Sequence, residues 1–309
     1  MTATTVTPGT DAASPAPALG RPRPLRMLWV TAVWGACFVA IQWGLRDAPV
    51  LWFAALRALV AGAALLAVGR SQHRPGPVGV RAWGLIAVLG LVNVTVGFGA
   101  MFAAAGGLAT GTAAVLANAQ PLLILLPAWW LYGEAVSRRT AGALVVGFTG
   151  LVLVAVPGGG GRGAALSLLA ASAITAGTLL SRRLGSLDVI GASGWHFVIG
   201  GAVLAVVAEA VEGAPVIAWT PRFIAVLAFL SLVGSAAAFV AWFTETRRAR
   251  LDALSAWTFL TPVVGIVLGA VVLSERTSGW TGVGLVAVLV AMGIVLAPGR
   301  HRPAPGPTP

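Results

Sequence analysis

Along the chain, apolar residues gather into ten blocks, at 28–45, 50–69, 82–103, 110–132, 140–157, 164–181, 190–208, 222–244, 254–273 and 280–297, with polar residues confined to the gaps. Blocks of about 18 to 22 apolar residues suffice for a helix, rising about 1.5 Å per residue, to cross about 30 Å of hydrocarbon. Lipid offers no partner to a bare amide, and a helix satisfies its backbone groups internally. The pattern predicts ten transmembrane helices. Gly and Pro inside the blocks do not count against helix, because both are commoner in membrane helices than in soluble ones.

Composition agrees: 58% of the 309 residues are hydrophobic and 9% charged, with a mean hydropathy of +0.92, whereas a soluble domain is roughly a quarter charged. Residues 1–27, rich in Ala, Thr and Pro, and the Pro-rich 299–309 read as disordered cytoplasmic tails. The first block follows Arg21, Arg23 and Arg26, is too long for a signal-peptide core and reads as a retained span. Cys37, the single cysteine, lies inside that block, which excludes a disulfide framework and a Cys-rich metal motif. No cofactor or metal is expected.

All 20 basic residues are Arg, and their distribution tests the topology. With the N-terminus inside, fifteen fall in inside segments and four, Arg46, Arg162, Arg222 and Arg276, outside, while Arg57 lies within the second block. Basic residues in short loops favour the cytoplasmic side. Both termini are therefore expected in the cytoplasm of a bacterial cell membrane. The net charge of +11 reads as topology rather than as a nucleic-acid surface.

Sliding the chain on itself by 141 positions places Pro121 on Pro262, Glu134 on Glu275, Thr140 on Thr281 and Pro157 on Pro298 without a gap. The related segments are blocks four and five against nine and ten, so the unit holds five helices. An odd unit inserts in opposite senses in its two copies, the inverted-repeat plan of many secondary transporters. The expected architecture is an all-α integral membrane protein: ten helices as two inverted five-helix repeats, 28–157 and 164–298, joined by a Gly-rich linker at 158–163 and enclosing a central cavity.

Short stretches carry a family likeness. They are Trp34-Gly35-Ala36-Cys37-Phe38-Val39-Ala40, Pro49, Phe53-Ala54-Ala55-Leu56-Arg57, Gly111-Thr112-Ala113-Ala114, Ala117-Asn118-Ala119-Gln120-Pro121 and Gly133-Glu134 in the first half. The second half has Ala253-Leu254-Ser255-Ala256, Thr261-Pro262 and Ser274-Glu275-Arg276. In this order and spacing the chain resembles the EamA-type permeases of the drug/metabolite transporter superfamily. The resemblance implies a pseudo-symmetric bundle, alternating access and export of amino acids, other metabolites or small toxic compounds. It departs at Gly194-Trp195-His196, where the first half has its Arg-bearing stretch.

Polar groups inside blocks are costly and tend to face the bundle interior, so they mark the candidate site. Asn118 and Gln120 precede Pro121, and Thr258 and Thr261 precede Pro262. Each proline removes an amide donor and kinks its helix beside groups that either bind substrate or satisfy the freed backbone. Arg57, roughly 12 Å into its helix, is either a counter-ion for an anionic substrate group or a donor to neighbouring carbonyls. His196 alone titrates near neutrality at this depth, as a proton relay or as a packed neutral ring. Trp34, Trp195, Trp242 and Trp257 stand within blocks, as aromatic walls for apolar or cationic solutes or as plain helix packing. Of these Trp34 and Trp257 join the cavity candidates, and Asn93 and Thr175 complete the set. Glu134 and Glu275 read as loop-edge groups bonded to amides or nearby Arg.

Look-alike motifs fail on context: Gly158 to Gly163 lacks a phosphate-loop ending, Gly282-Val283-Gly284 follows no strand, and the Asn93 sequon is out of reach of a glycosyltransferase. Gly265 and Gly269 suit a close helix contact. The nine dispersed acids and three scattered His supply no catalytic cluster for a membrane enzyme, and a structural or assembly role explains neither the repeat nor the buried amides. The expected partners are a small-molecule substrate and membrane lipid, without nucleic acid; a homodimer is compatible with the sequence.

Overall fold

The computed structural model describes residues 20–108, 110–133, 137–155, 162–275 and 279–296. Residues 1–19, 299–309, the linker at 158–161, Glu134, Pro157, Arg276 and Pro298 lie outside the described residues. Residues 24–27, expected in the disordered first tail, instead form the opening turn of the first helix, because Pro24 suits a helix N-terminus and Met27 is buried. Arg162 and Gly163, expected in the linker, open a helix likewise.

Each apolar block is helical. The helices are α1 (Pro24–Gly44), α2 (Val50–Ser71), α3 (Val80–Ala105), α4 (110–132), α5 (Arg138–Ala155), α6 (Arg162–Ser181), α7 (Val189–Glu212), α8 (Pro221–Thr246), α9 (Leu251–Val272) and α10 (Gly279–Leu296). An isolated bridge between Gly20 and Ala249 is the sole β pairing among the described residues. Seven helices, α1 to α3 and α6 to α9, are long and apolar enough to cross a membrane. The chain is an integral membrane protein of all-α class. Length alone yields seven rather than ten because α4 is divided into Thr110–Ala117, Gln120–Leu123 and Leu125–Tyr132, while α5 and α10 adjoin residues outside the described set. The surface is that of a lipid-facing bundle, with Trp130, Val206 and Val271 each at least 70% exposed.

Two helices carry interruptions that apolar periodicity does not encode. α3 is π-helical over Leu91–Phe98, and α8 over Phe229–Ala237. A π turn widens the ladder and sets backbone groups out of register, a deviation enriched at functional sites. α9 breaks between Trp257 and Leu260, just before Pro262, as α4 breaks between Ala117 and Gln120, just before Pro121.

Lipid provides no hydrophobic drive between helices, so close backbone approach replaces it. α3 and α7 meet at Gly90 and Gly200, where a Cβ on Gly200 would collide with the Gly90 carbonyl. Gly234 in α8 is equally constrained, since its Cβ would fall 2.5 Å from Cys37 Sγ of α1. Gly265 sits within ordinary contact of α1 and presses on Ala114 of α4.

Bonds between helix termini separate the bundle into two ends. At one, Arg222 grips Asp47 through Nε and Nη2 at 2.7–3.0 Å, and Glu212 accepts from the Leu51 and Trp52 amides, capping an α2 whose own N-cap, Pro49, has no side-chain acceptor. At the other, the fully buried Glu245 carboxylate takes Arg26 at 2.7 Å and the Arg23 amide, while Arg74 pairs with Asp188, the N-cap of α7. The Glu245 end also carries Arg182, Arg247, Arg248 and Arg250, so the basic residues are strongly biased to one end.

Candidate functional site

Between the two ends lies a cavity of ≈ 60 Å³, several times the ~10–15 Å³ that one water needs. Of the residues the sequence singled out, Trp34, Arg57, Asn93, Asn118, Gln120 and Thr261 line it. Thr175, His196, Trp257 and Thr258 are buried but form no part of its wall. Thr175 spends its hydroxyl on the Ala171 carbonyl, and His196 packs against Phe197, Phe239 and Phe243 with neither ring nitrogen bonded among the described residues.

The helix breaks divide their polar residues between the two roles left open by the sequence. Asn118 Nδ2 donates to the Ala114 carbonyl at 2.6 Å and Thr258 Oγ1 to Ser255 at 2.7 Å, so these side chains repair the interrupted ladder. Two and three residues on, Gln120 reaches across to Thr178 Oγ1 at 2.9 Å, and the Thr261 hydroxyl has no partner among the described residues. Asn118 nevertheless also borders the cavity. Pro121 opens the short Gln120–Leu123 helix at a position where its missing amide costs nothing.

Arg57 is 2% exposed and held from several sides. The π segment of α8 supplies the Ser235 hydroxyl, which accepts from Nε at 2.8 Å, and the Gly234 carbonyl, 3.4 Å from Nη2. That carbonyl also takes Trp34 Nε1 at 3.2 Å. The guanidinium lies over Phe98 at 4.5 Å, a cation–π contact, and Nη1 has no partner among the described residues. The carbonyl bond foreseen as an alternative to the counter-ion role is present, yet it engages only one corner of the group.

The sequence reading missed much of the wall, and the repeat offset was the signal for it. Phe98 and Phe239, Met101 and Trp242, Cys37 and Thr178, and Gln120 and Thr261 all line the cavity, and the members of each pair stand 141 positions apart. Trp34 and Trp242 pack at 5.1 Å across it. The same offset relates the acceptors of two bonds at opposite ends, whose donors stand 140 positions apart. Gln42 Nε2, at the end of α1, donates to the Ala105 and Leu108 carbonyls at 2.6 and 3.2 Å. Arg182, just past α6, donates to the Thr246 and Ala249 carbonyls at 3.1 and 2.5 Å. Ala105 and Thr246, like Leu108 and Ala249, are 141 apart. Beyond Gln42, about one helical turn from the cavity residue Phe38, a second space of ≈ 710 Å³ opens among Trp43, Arg46, Leu108 and Glu275. Glu275 accepts the Thr110 amide there at 3.1 Å, the loop-edge amide bond expected of it, whereas its repeat partner Glu134 lies outside the described residues.

A multi-pass helical bundle enclosing an aromatic, amide-lined cavity is the construction of a membrane protein that handles a small solute. The EamA-like transporter family matches residues 25–156 and again 161–297, and the chain belongs to that family, a membrane transporter of the drug/metabolite superfamily. A WAT1-related chloroplastic protein of Arabidopsis thaliana is 32% identical over 279 residues, covering 86% of this chain and 67% of that one. Protein PecM of Dickeya dadantii is 31% identical over 274 residues, 86% and 90% of the two chains. A crystal structure of a protein with 19% identity superimposes with a TM-score of 0.69 over 88% of this chain and 95% of the other, a shared fold. Family and relatives point to transport rather than catalysis.

Proposed function

We propose that the chain forms two inverted five-helix repeats, at 28–157 and 164–298, and exports small metabolites or toxic compounds by alternating access around the central cavity. The observation that carries this reading is the 141-residue offset recurring in space, in the cavity wall and in the carbonyls that Gln42 and Arg182 bond. One bond lies at each end, where a gate on either side of the solute path would act in alternating access. The Arg-rich Glu245 end is cytoplasmic by the positive-inside rule, which puts both termini inside and the Asp47 end outside a bacterial cytoplasmic membrane. Trp34, Asn93, Asn118, Gln120 and Thr261 contact the solute, with Pro121 and Pro262 fixing the helix breaks.

Flux through the purified protein in liposomes tests this. Saturable, protein-dependent efflux is expected for at least one member of a panel of amino acids, aryl carboxylates and small organic cations. Gln120→Ala and Thr261→Ala each raise KM without loss of folded protein. A panel with no saturable flux in either direction refutes the reading.

A further inference from the structure

The cavity wall carries one formal charge among the described residues, that of Arg57, and no carboxylate faces it. Burying a guanidinium without a counter-ion is costly, and the contacts that hold this one in place come from the Ser235 hydroxyl, the Gly234 carbonyl, the Cys37 sulfur 3.8 Å from Nη2, and the ring faces of Phe98 and Phe102. They fix its plane and leave Nη1 free. Packing does not demand the charge. The residue 141 positions on is Val198 on α7, so the equivalent place in the other half is filled by an apolar side chain. Arg57 is therefore a departure from the pseudo-symmetry at the cavity, and a departure that carries charge.

Resting on the reading of the cavity as the transport site, we propose that it takes a compact organic monoanion, a carboxylate borne on an aromatic or branched apolar body. The carboxylate engages Arg57 Nη1 in a charge-assisted bond. The body fits against Trp34, Trp242 and Phe239, which form one ring cluster with centroids 5.1–5.7 Å apart. Asn93 Oδ1, buried without a partner, and the Thr261 hydroxyl receive a hydrogen-bond donor on the same solute. Asn93 is placed for this by Gly177, which leaves the space its amide occupies. A single guanidinium suits one negative charge and not a dianion such as inorganic phosphate.

The test is thermal stabilisation of the full chain in detergent by benzoate and phenylacetate, set against the neutral benzamide, the cationic benzylamine and inorganic phosphate. Benzoate is expected to half-saturate at a concentration about 10- to 100-fold below benzamide, the span of a charge-assisted hydrogen bond. Arg57→Gln erases that difference and Arg57→Lys keeps part of it. Equal or better binding of benzamide, benzylamine or phosphate by the wild-type chain overturns the proposal, as does an Arg57→Gln protein that keeps its preference for benzoate. Should Arg57→Gln fail to fold, the wild-type comparison alone decides. Saturable flux in liposomes without preference for carboxylates sinks the anion site and spares the transport reading. Stabilisation by benzoate with no flux of any solute does the reverse.

Discussion

Breaking the Gln42 bond should open the cavity at one end only, and the chain carries its own reporter for this. Gln42→Leu keeps the volume and removes both donations, to Ala105 at 2.6 Å and Leu108 at 3.2 Å. Two neutral hydrogen bonds, each worth about 0.5–1.5 kcal/mol net, together bias the closed state by about 1–3 kcal/mol, or roughly 5- to 150-fold in the open population. Cys37 is the only cysteine, is 3% exposed and borders the cavity, so its modification rate follows how often the cavity opens. A membrane-impermeant methanethiosulfonate applied from the Asp47 end should modify Gln42→Leu faster by that factor, with no change from the Glu245 end. Arg182→Met should give the mirror result. Acceleration of both variants from the same end refutes the two-latch reasoning, as does an unchanged rate in both when the thiol reacts normally after unfolding.

Two further substitutions bear on packing. Gly200→Ala drives a methyl against the Gly90 carbonyl and to within 2.6 Å of Val94 Cβ, so it should destabilise by about 1–3 kcal/mol, seen as a lowered thermal midpoint. Gly84→Ala, with open space where its Cβ would stand, is the silent control, and equal effects from the two would contradict the close α3–α7 contact. His196→Leu replaces a buried ring that has no bond among the described residues by an apolar side chain, so the thermal midpoint should hold or rise and flux persist. Loss of pH-driven flux in that variant would instead reinstate the proton relay.

The helices were legible because in lipid a spanning segment must be apolar along its whole length, so hydropathy alone outlines α1 through α10. The cavity wall was legible where polar residues interrupt that pattern, as at Arg57, Asn93 and Gln120. What the pattern could not carry was geometry within the helices. Nothing in Leu91–Phe98 or Phe229–Ala237 distinguishes a π turn from an α turn by hydropathy, yet the second of these holds Arg57 through Gly234 and Ser235. Nor does composition separate Thr175 from Thr178: both are buried threonines on α6, and three residues of helix phase decide that the second faces the cavity and accepts from Gln120. Trp257 stands off the cavity by the same difference of phase, while Trp242 lines it.

The two proposed latches bond equivalent carbonyls with unlike donors, and on the alternating-access proposal the difference should bias which end opens more readily. Gln42 donates through a neutral amide, whereas Arg182 donates through a guanidinium whose carbon also lies 5.3 Å from the Tyr132 ring centre. Bonds from a charged donor are about twice as strong as neutral ones, with part of that advantage lost where Arg182 is open to water. The Asp47 end is thus held less firmly, and it is also where the ≈ 710 Å³ space already reaches to within about one helical turn of the cavity. Opening toward that side should cost less than opening toward the Glu245 end. Exchanging the latch residues, Gln42→Arg with Arg182→Gln, should reverse which end exposes Cys37 faster.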